Sequence, residues 1–199
     1  NYLTNFKLIW NFQKKNLIMA IKACEVIGLN KKKISRCLKK LKSVKGRLEL
    51  VKEYPDQTKV FIDFAHTPDA ISSAIDSLKT HFEKDVTIVF GCGGDRDYAK
   101  RPLMGKIAQK YCKNFFVTDD NPRSEDPKKI RGDIKSNISK SKLIEIPSRE
   151  IAIKSAISNI KSNEVVIIAG KGHETYQEYV SKKFFSDKKC IEKFIKIKN

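Results

Sequence analysis

The sequence predicts an α/β protein, a mostly parallel sheet with helices on both faces, preceded by a short helical segment. Three observations predict it. From residue 46 onward, short apolar runs alternate with helical periodicities. The runs are nearly continuous in Val, Ile and Phe, as strands buried on both faces must be. Polar, glycine-containing loops follow them, where an open parallel sheet collects its ligands.

Taken in order, residues 16–29 place Leu17, Ala20, Ile21, Cys24 and Ile27 on one helical face and end at Gly28. Residues 31–42 repeat the pattern with Ile34, Leu38 and Leu41. Lys31 to Lys45 holds eight basic residues and no acid, read as a solvated helix face. Beyond Gly46 the predicted strands are 60–64, 86–90, 115–118, 143–146 and 165–169. Helical faces lie between them: Ala70, Ile71, Ala74, Ile75 and Leu78; then Leu103, Ile107, Ala108 and Tyr111; then Ile130, Ile134 and Ile138; then Ile151, Ser155 and Ala156. Thr67-Pro68 and Ser148 read as helix starts, and Pro102 and Pro127 sit near first turns, where a missing N–H costs nothing. Residues 175–180 and 183–185 flank a Ser181-Lys182 turn as a hairpin, before a last basic helix from about Lys188.

A chain of 199 residues has room for one domain and part of another. With 40% apolar residues it lies far from the composition of disorder. Lys plus Arg is 41 against 23 acids, a net charge of +18 that favours anionic partners without choosing among them. Lysines spread along the whole chain read equally as compositional bias. Five widely spaced cysteines form no pair or ligand cluster and suit reduced thiols, hence a cytoplasmic location. No apolar run nears the roughly 20 residues of a membrane span, so no membrane partner is expected. A start at Asn1 without methionine suggests a piece of a longer polypeptide.

Five polar clusters fall on the loops at the strand ends: 63–69, 91–97, 118–123, 146–150 and 169–174. Gly91, Gly93 and Gly94 are explained by a tight turn using positive φ as readily as by phosphate binding. Gly170-Lys171-Gly172 lacks the spacing and hydroxyl of a phosphate loop. In isolation His66 and His173 read as loop histidines, and Asp119-Asp120, though it resembles a metal-binding carboxylate pair, reads on composition alone as an ordinary turn. Arg96, Arg123 and Glu174, from three strand ends, suit a zwitterion, since guanidinium pairs with carboxylate and glutamate accepts from ammonium.

In order, the chain carries GRLE at 46–49, DFAHTPDA at 63–70, GCGGDRD with KRPLMG across 91–105, TDDNPRSEDP at 118–127, AGKGHETYQE at 169–178 and FSD at 185–187. These motifs closely resemble the carboxyl-terminal part of the Mur ligases, among them the members that add the third residue of the peptidoglycan stem peptide. The resemblance runs from about residue 10 to 199 and implies that residues 46–199 are a Rossmann-like domain receiving the amino acid. Residues 1–45 are then the end of a central ATPase domain, where Phe12 to Asn16 is similar to the family's Phe-Asn-x-x-Asn segment with Gln13 in place of the first asparagine.

The family's reaction, as the resemblance implies it, uses ATP and Mg2+ to phosphorylate the carboxylate of UDP-N-acetylmuramoyl-dipeptide, and an amine then attacks the acyl phosphate. The phosphate loop and metal ligands belong to the missing central part, so this chain alone should be inactive, with no catalytic or metal residue of its own. Asn16, Arg47, Asp63 and His66 are implied in ATP binding, at the seam between domains. Arg96, Asn121, Arg123, Gly170 and Glu174 are implied in the amino-acid pocket. The Asp-Asn-Pro-Arg motif at 120–123 is similar to that of members taking meso-diaminopimelate, with Arg123 toward the distal carboxylate and Glu174 toward the distal ammonium. Lysine lacks that carboxylate, and an unpaired desolvated arginine would disfavour it. Phe64 for a usual tyrosine and Lys45 for a usual proline are the departures. The competing readings are a sibling ligase with another amino acid, which the Arg123 motif disfavours, and a basic nucleic-acid-binding module, disfavoured by the lack of aromatic-basic interleaving on the strands. No nucleic-acid partner is expected.

Overall fold

The computed structural model describes residues 11–38, 40–41 and 44–198. The predicted end of the second helix at 42 lies outside them, as do Lys39 and Lys42 of the basic run. The chain divides into two compact units, Asn1–Val44 and Lys45–Asn199.

In the first unit, α1 (Asn11–Val26) and α2 (Lys31–Leu38) bury Leu17, Ile21, Ile34 and Leu38 together, with Cys24 packed against them. Ala20, Ile27 and Leu41, expected on the apolar faces, are exposed. Helix α1 ends two residues before Gly28, whose φ of +81° suits the turn after a helix. Lys31, Lys32 and Lys33 are all exposed, so this part of the basic run is a solvated face.

The second unit begins with β1 (Glu49–Glu53) and β2 (Lys59–Asp63), then α3 (Pro68–Phe82), β3 (Val86–Phe90), α4 (Lys100–Tyr111), β4 (Asn114–Val117), α5 (Pro127–Lys135) and β5 (Leu143–Glu145). There follow α6 (Arg149–Asn159), β6 (Val165–Ala169), the hairpin β7 (Tyr176–Glu178) and β8 (Lys182–Phe184), and α7 (Asp187–Lys198). Strand β1 is an addition to the expected set. Its Glu-Leu-Val-Lys-Glu sequence carries too little apolar periodicity to announce a strand, and it pairs antiparallel with β2 through an irregular step between Leu50 and Lys52.

The six-stranded sheet has the order β1-β2-β6-β3-β4-β5, parallel throughout except at β1. Strands β2, β3 and β6 are buried at every residue, the reason their sequences run apolar rather than alternate. Val60, Ile62, Val89, Phe116, Val166 and Ile168 meet α6 and α7 on one face, through Ala152, Ile153, Ala156, Ile157, Ile191 and Ile195. Helices α3, α4 and α5 pack side by side, and α3 and α4 lie against β3 and β4.

Helix starts follow local chemistry. The Thr67 hydroxyl accepts from Ala70 N with Pro68 in the first turn, Asp126 accepts from Lys128 N ahead of Pro127, and Ser148 accepts from Ile151 N. Two buried faces differ from the expected ones. Helix α4 buries Arg101, Met104, Gly105 and Ala108 and leaves Leu103 and Tyr111 exposed; α6 buries Arg149, Ala152, Ile153, Ala156 and Ile157 and exposes Ile151. A wholly buried arginine on each inward face shifts the stripe in a way hydrophobicity does not report. Ile138 lies beyond the end of α5 at Lys135. Among the described residues no helix is long and apolar enough to cross a membrane.

Candidate functional site

Because β2 to β6 run parallel, the loops after them open on one rim of the sheet. Four of these loops enclose a cavity of about 350 Å³. The loop after β2 contributes Phe64 and His66, that after β3 Gly91 to Gly93, Arg96 and Asp97, with Lys100 from the start of α4, that after β4 Asp120, Asn121 and Arg123, and that after β6 Gly170 and Glu174. Its charged lining is balanced: Arg96, Lys100 and Arg123 against Asp97, Asp120 and Glu174. All five residues expected in the amino-acid pocket line this one space, and so does His66, expected on the nucleotide.

Close backbone approach builds the wall. A Cβ on Gly91 would lie 2.3 Å from the Thr118 carbonyl oxygen, and one on Gly94 1.9 Å from that of Pro122. Neither glycine has positive φ, so tight packing of the 91–94 loop on the 118–122 loop, rather than a left-handed turn, demands glycine there. Gly170 needs both, with φ +113° and a would-be Cβ 2.6 Å from Asp120 Oδ2.

Arg123 adopts φ +54°, and its backbone N donates to Glu178 O at 3.0 Å. Its guanidinium donates to Gly94 O at 2.7 Å and lies 3.2 Å from Glu178 Oε2. Among the described residues the exposed Arg96 guanidinium has no hydrogen-bond partner. Lys100 Nζ donates to His66 O at 2.8 Å, tying the first two loops together. Cys92, buried in the same wall, has its thiol pushed up to about 12 by burial and is no nucleophile.

The expected nucleotide residues divide. Asn16 stands exposed on α1, in the first unit. Arg47 is exposed and stacks on the Phe64 ring at 4.6 Å. Asp63 is buried, and its carboxylate accepts from Leu48 N at 2.6 Å and Ala65 N at 2.7 Å. Burial raises its pKa against the pull of those two amides. Asp63 therefore anchors the 46–48 turn that carries Arg47, and Gly46 in that turn has φ +66° with a would-be Cβ 2.4 Å from His173 N.

Two side chains that shape the rim went unread in the sequence. Lys171 is fully buried and donates to Asn121 Oδ1 at 2.8 Å and Glu174 Oε2 at 2.9 Å. Its spacing of three from Glu174 was the available signal. Arg149, from the cluster at 146–150, does not line the cavity; it is wholly buried and pairs through two bonds of 2.8 Å with Asp187. It also donates to Ala169 O at 2.9 Å, and its Nη1 approaches Asp120 Oδ2 at 3.7 Å. Burial works against the Arg149 charge, and Asp187 more than restores it, so the pKa is raised. Among the described residues no group of three His, Cys, Asp or Glu side chains is placed to hold a metal ion.

Comparison with known proteins places this architecture. A family model described as Mur ligase, glutamate ligase domain, matches residues 46–172. A Rickettsia rickettsii protein named UDP-N-acetylmuramoyl-L-alanyl-D-glutamate--2,6-diaminopimelate ligase is 45% identical over 98% of this chain, and the chain spans 41% of that relative's length. A protein of the same name from Wigglesworthia glossinidia brevipalpis is 43% identical over 96% of the chain, which spans 39% of it. A solved structure of a ligase with this name is similar with a TM-score of 0.76 and 36% identity, over 97% of this chain and 40% of the other. A Mycobacterium tuberculosis folylpolyglutamate synthase structure shares the fold, with a TM-score of 0.68 at 21% identity over 83% of this chain and 38% of that one. With a family model covering more than half its length, the chain belongs to the Mur ligase family.

Proposed function

We propose that this chain is the amino-acid-receiving part of an ATP-dependent amide-bond ligase that adds meso-diaminopimelate to UDP-N-acetylmuramoyl-L-alanyl-D-glutamate in the cytoplasm, during peptidoglycan precursor synthesis. Residues 1–45 then close a central ATPase domain whose upstream part supplies the phosphate loop and the Mg2+ ligands. ATP phosphorylates the dipeptide carboxylate, and the amine displaces phosphate to leave an amide.

The observation that carries this reading is the balanced cavity, lined by three cations and three carboxylates from the segments that follow three strands, β3, β4 and β6. Meso-diaminopimelate has two carboxylates and two ammonium groups and is matched by such a lining. In the proposal Arg123 and Arg96 meet carboxylates, Asn121 helps orient the distal one, Glu174 accepts from the distal ammonium, and Gly170 leaves room beside Asp120. Holding the far end of the substrate fixes its near amine, which converts an encounter into a positioned attack. Arg47, Asp63, His66 and Asn16 are proposed for ATP. Asp63 would hold the turn bearing Arg47 while its remaining lone pairs serve ribose hydroxyls.

Calorimetry on this chain tests the pocket. It should bind meso-diaminopimelate more tightly than L-lysine, and Arg123→Ala should weaken the former by about tenfold or more, the cost of one charge-assisted contact, and erase the preference. Equal affinities for the two ligands in the parent chain would remove the assignment.

A further inference from the structure

We infer that Lys171, which does not itself line the cavity, is a positioning residue that sets which cavity atoms donate and which accept. The inference rests on reading that cavity as the amino-acid site. Lys171 lies between Gly170, φ +113°, and Gly172, φ +53°, whose left-handed conformations turn the backbone sharply on either side of it. The side chain is wholly buried. A buried ammonium must find acceptors, and this one has Asn121 Oδ1 at 2.8 Å, Glu174 Oε2 at 2.9 Å and the Tyr176 ring face at 5.3 Å.

The consequence falls first on Asn121. Its Oδ1 receives Lys171 Nζ and also Glu178 N at 2.9 Å, so two donors converge on one atom. Flipping the amide would set its NH2 group against an ammonium and a backbone N–H. The amide is locked, and Nδ2 is left to donate to Glu174 Oε2 at 3.1 Å, with one N–H still available. Glu174 is set by the same two groups. Both described bonds end on Oε2, which leaves Oε1 as the acceptor for a ligand.

Asn121 and Glu174 line the cavity, whereas Lys171 stands behind them. Seen by a ligand, Asn121 therefore only donates, while Glu174, whose carboxylate can only accept, offers Oε1. A carboxylate fits the first and an ammonium the second, the pair at the far end of a diamino diacid. Lys171 acts without touching the ligand.

The test is Lys171→Met, which keeps the length and removes the charge. Calorimetry on the 199-residue chain should show meso-diaminopimelate binding weakened at least about tenfold, and weakened more than L-lysine binding, so that the preference between them narrows. General loosening would weaken both alike, and that outcome, or unchanged binding, overturns the inference. If the variant does not fold, or the parent chain binds no meso-diaminopimelate, which would count against the cavity reading, magnetic resonance on the parent decides. A slowly exchanging Lys171 ammonium with proton contacts to the Asn121 side chain is expected. An ammonium that exchanges freely with water and shows no such contacts overturns it.

Discussion

A methyl group on Gly94 would lie 1.9 Å from a carbonyl oxygen that belongs to backbone, so it cannot swing aside. The 91–94 and 118–122 loops would have to part, and with them the wall that holds Arg123, whose guanidinium is bonded to Gly94 O. Gly94→Ala should therefore cost roughly 2 to 4 kcal/mol, visible as a lower Tm, and should weaken amino-acid binding as well. Gly132→Ala is the control, because nothing lies within 4 Å of its would-be Cβ. The glycines were legible in the sequence as a tight loop, but their reason was not. Positive φ is a local property that a sequence suggests, whereas close approach depends on a partner loop some 30 residues away. Lys171 was legible only through its spacing of three from Glu174, since its other acceptor, Asn121, is 50 positions distant.

Helix α6 enters the core through its first residue. Arg149 bonds the carboxylate that opens α7 and the last carbonyl of β6, immediately before Gly170. Three elements thus meet on one guanidinium beneath the rim. Arg149→Met should leave Asp187 and Asp120 without their cation in a region of almost no solvent, a loss of about 3 to 5 kcal/mol by chemical denaturation. An unchanged midpoint would show that the pair contributes only fit. Arg101 plays a similar part in α4, donating to Glu125 at 2.8 Å and Asp133 at 2.9 Å. These arginines account for the displaced helix faces. Apolar periodicity locates a helix well, yet it assigns a buried, paired arginine to the outside and rotates the stripe accordingly.

At the scale of the molecule, the alternation of strand and helix, the parallel sheet and the common rim were legible, because each depends on patterns within a dozen residues. Strand order was not. Nothing local says that β6 inserts between β2 and β3, or that β1 folds back along β2. Burial also sorts the thiols in a way spacing could not. Cys92, Cys112 and Cys190 are buried, each pushed up to about 12 by desolvation, while Cys37 is exposed. In the native chain at mildly alkaline pH, a thiol reagent should modify Cys37 first and leave those three untouched until denaturant is added. Early labelling of Cys112 would contradict the packing. The central place of β6 bears on synthesis too. In a nascent chain emerging from the ribosome, the edges of β2 and β3 that face one another lack their native partner until the fifth parallel strand is made, so the centre of this sheet can close only late in synthesis.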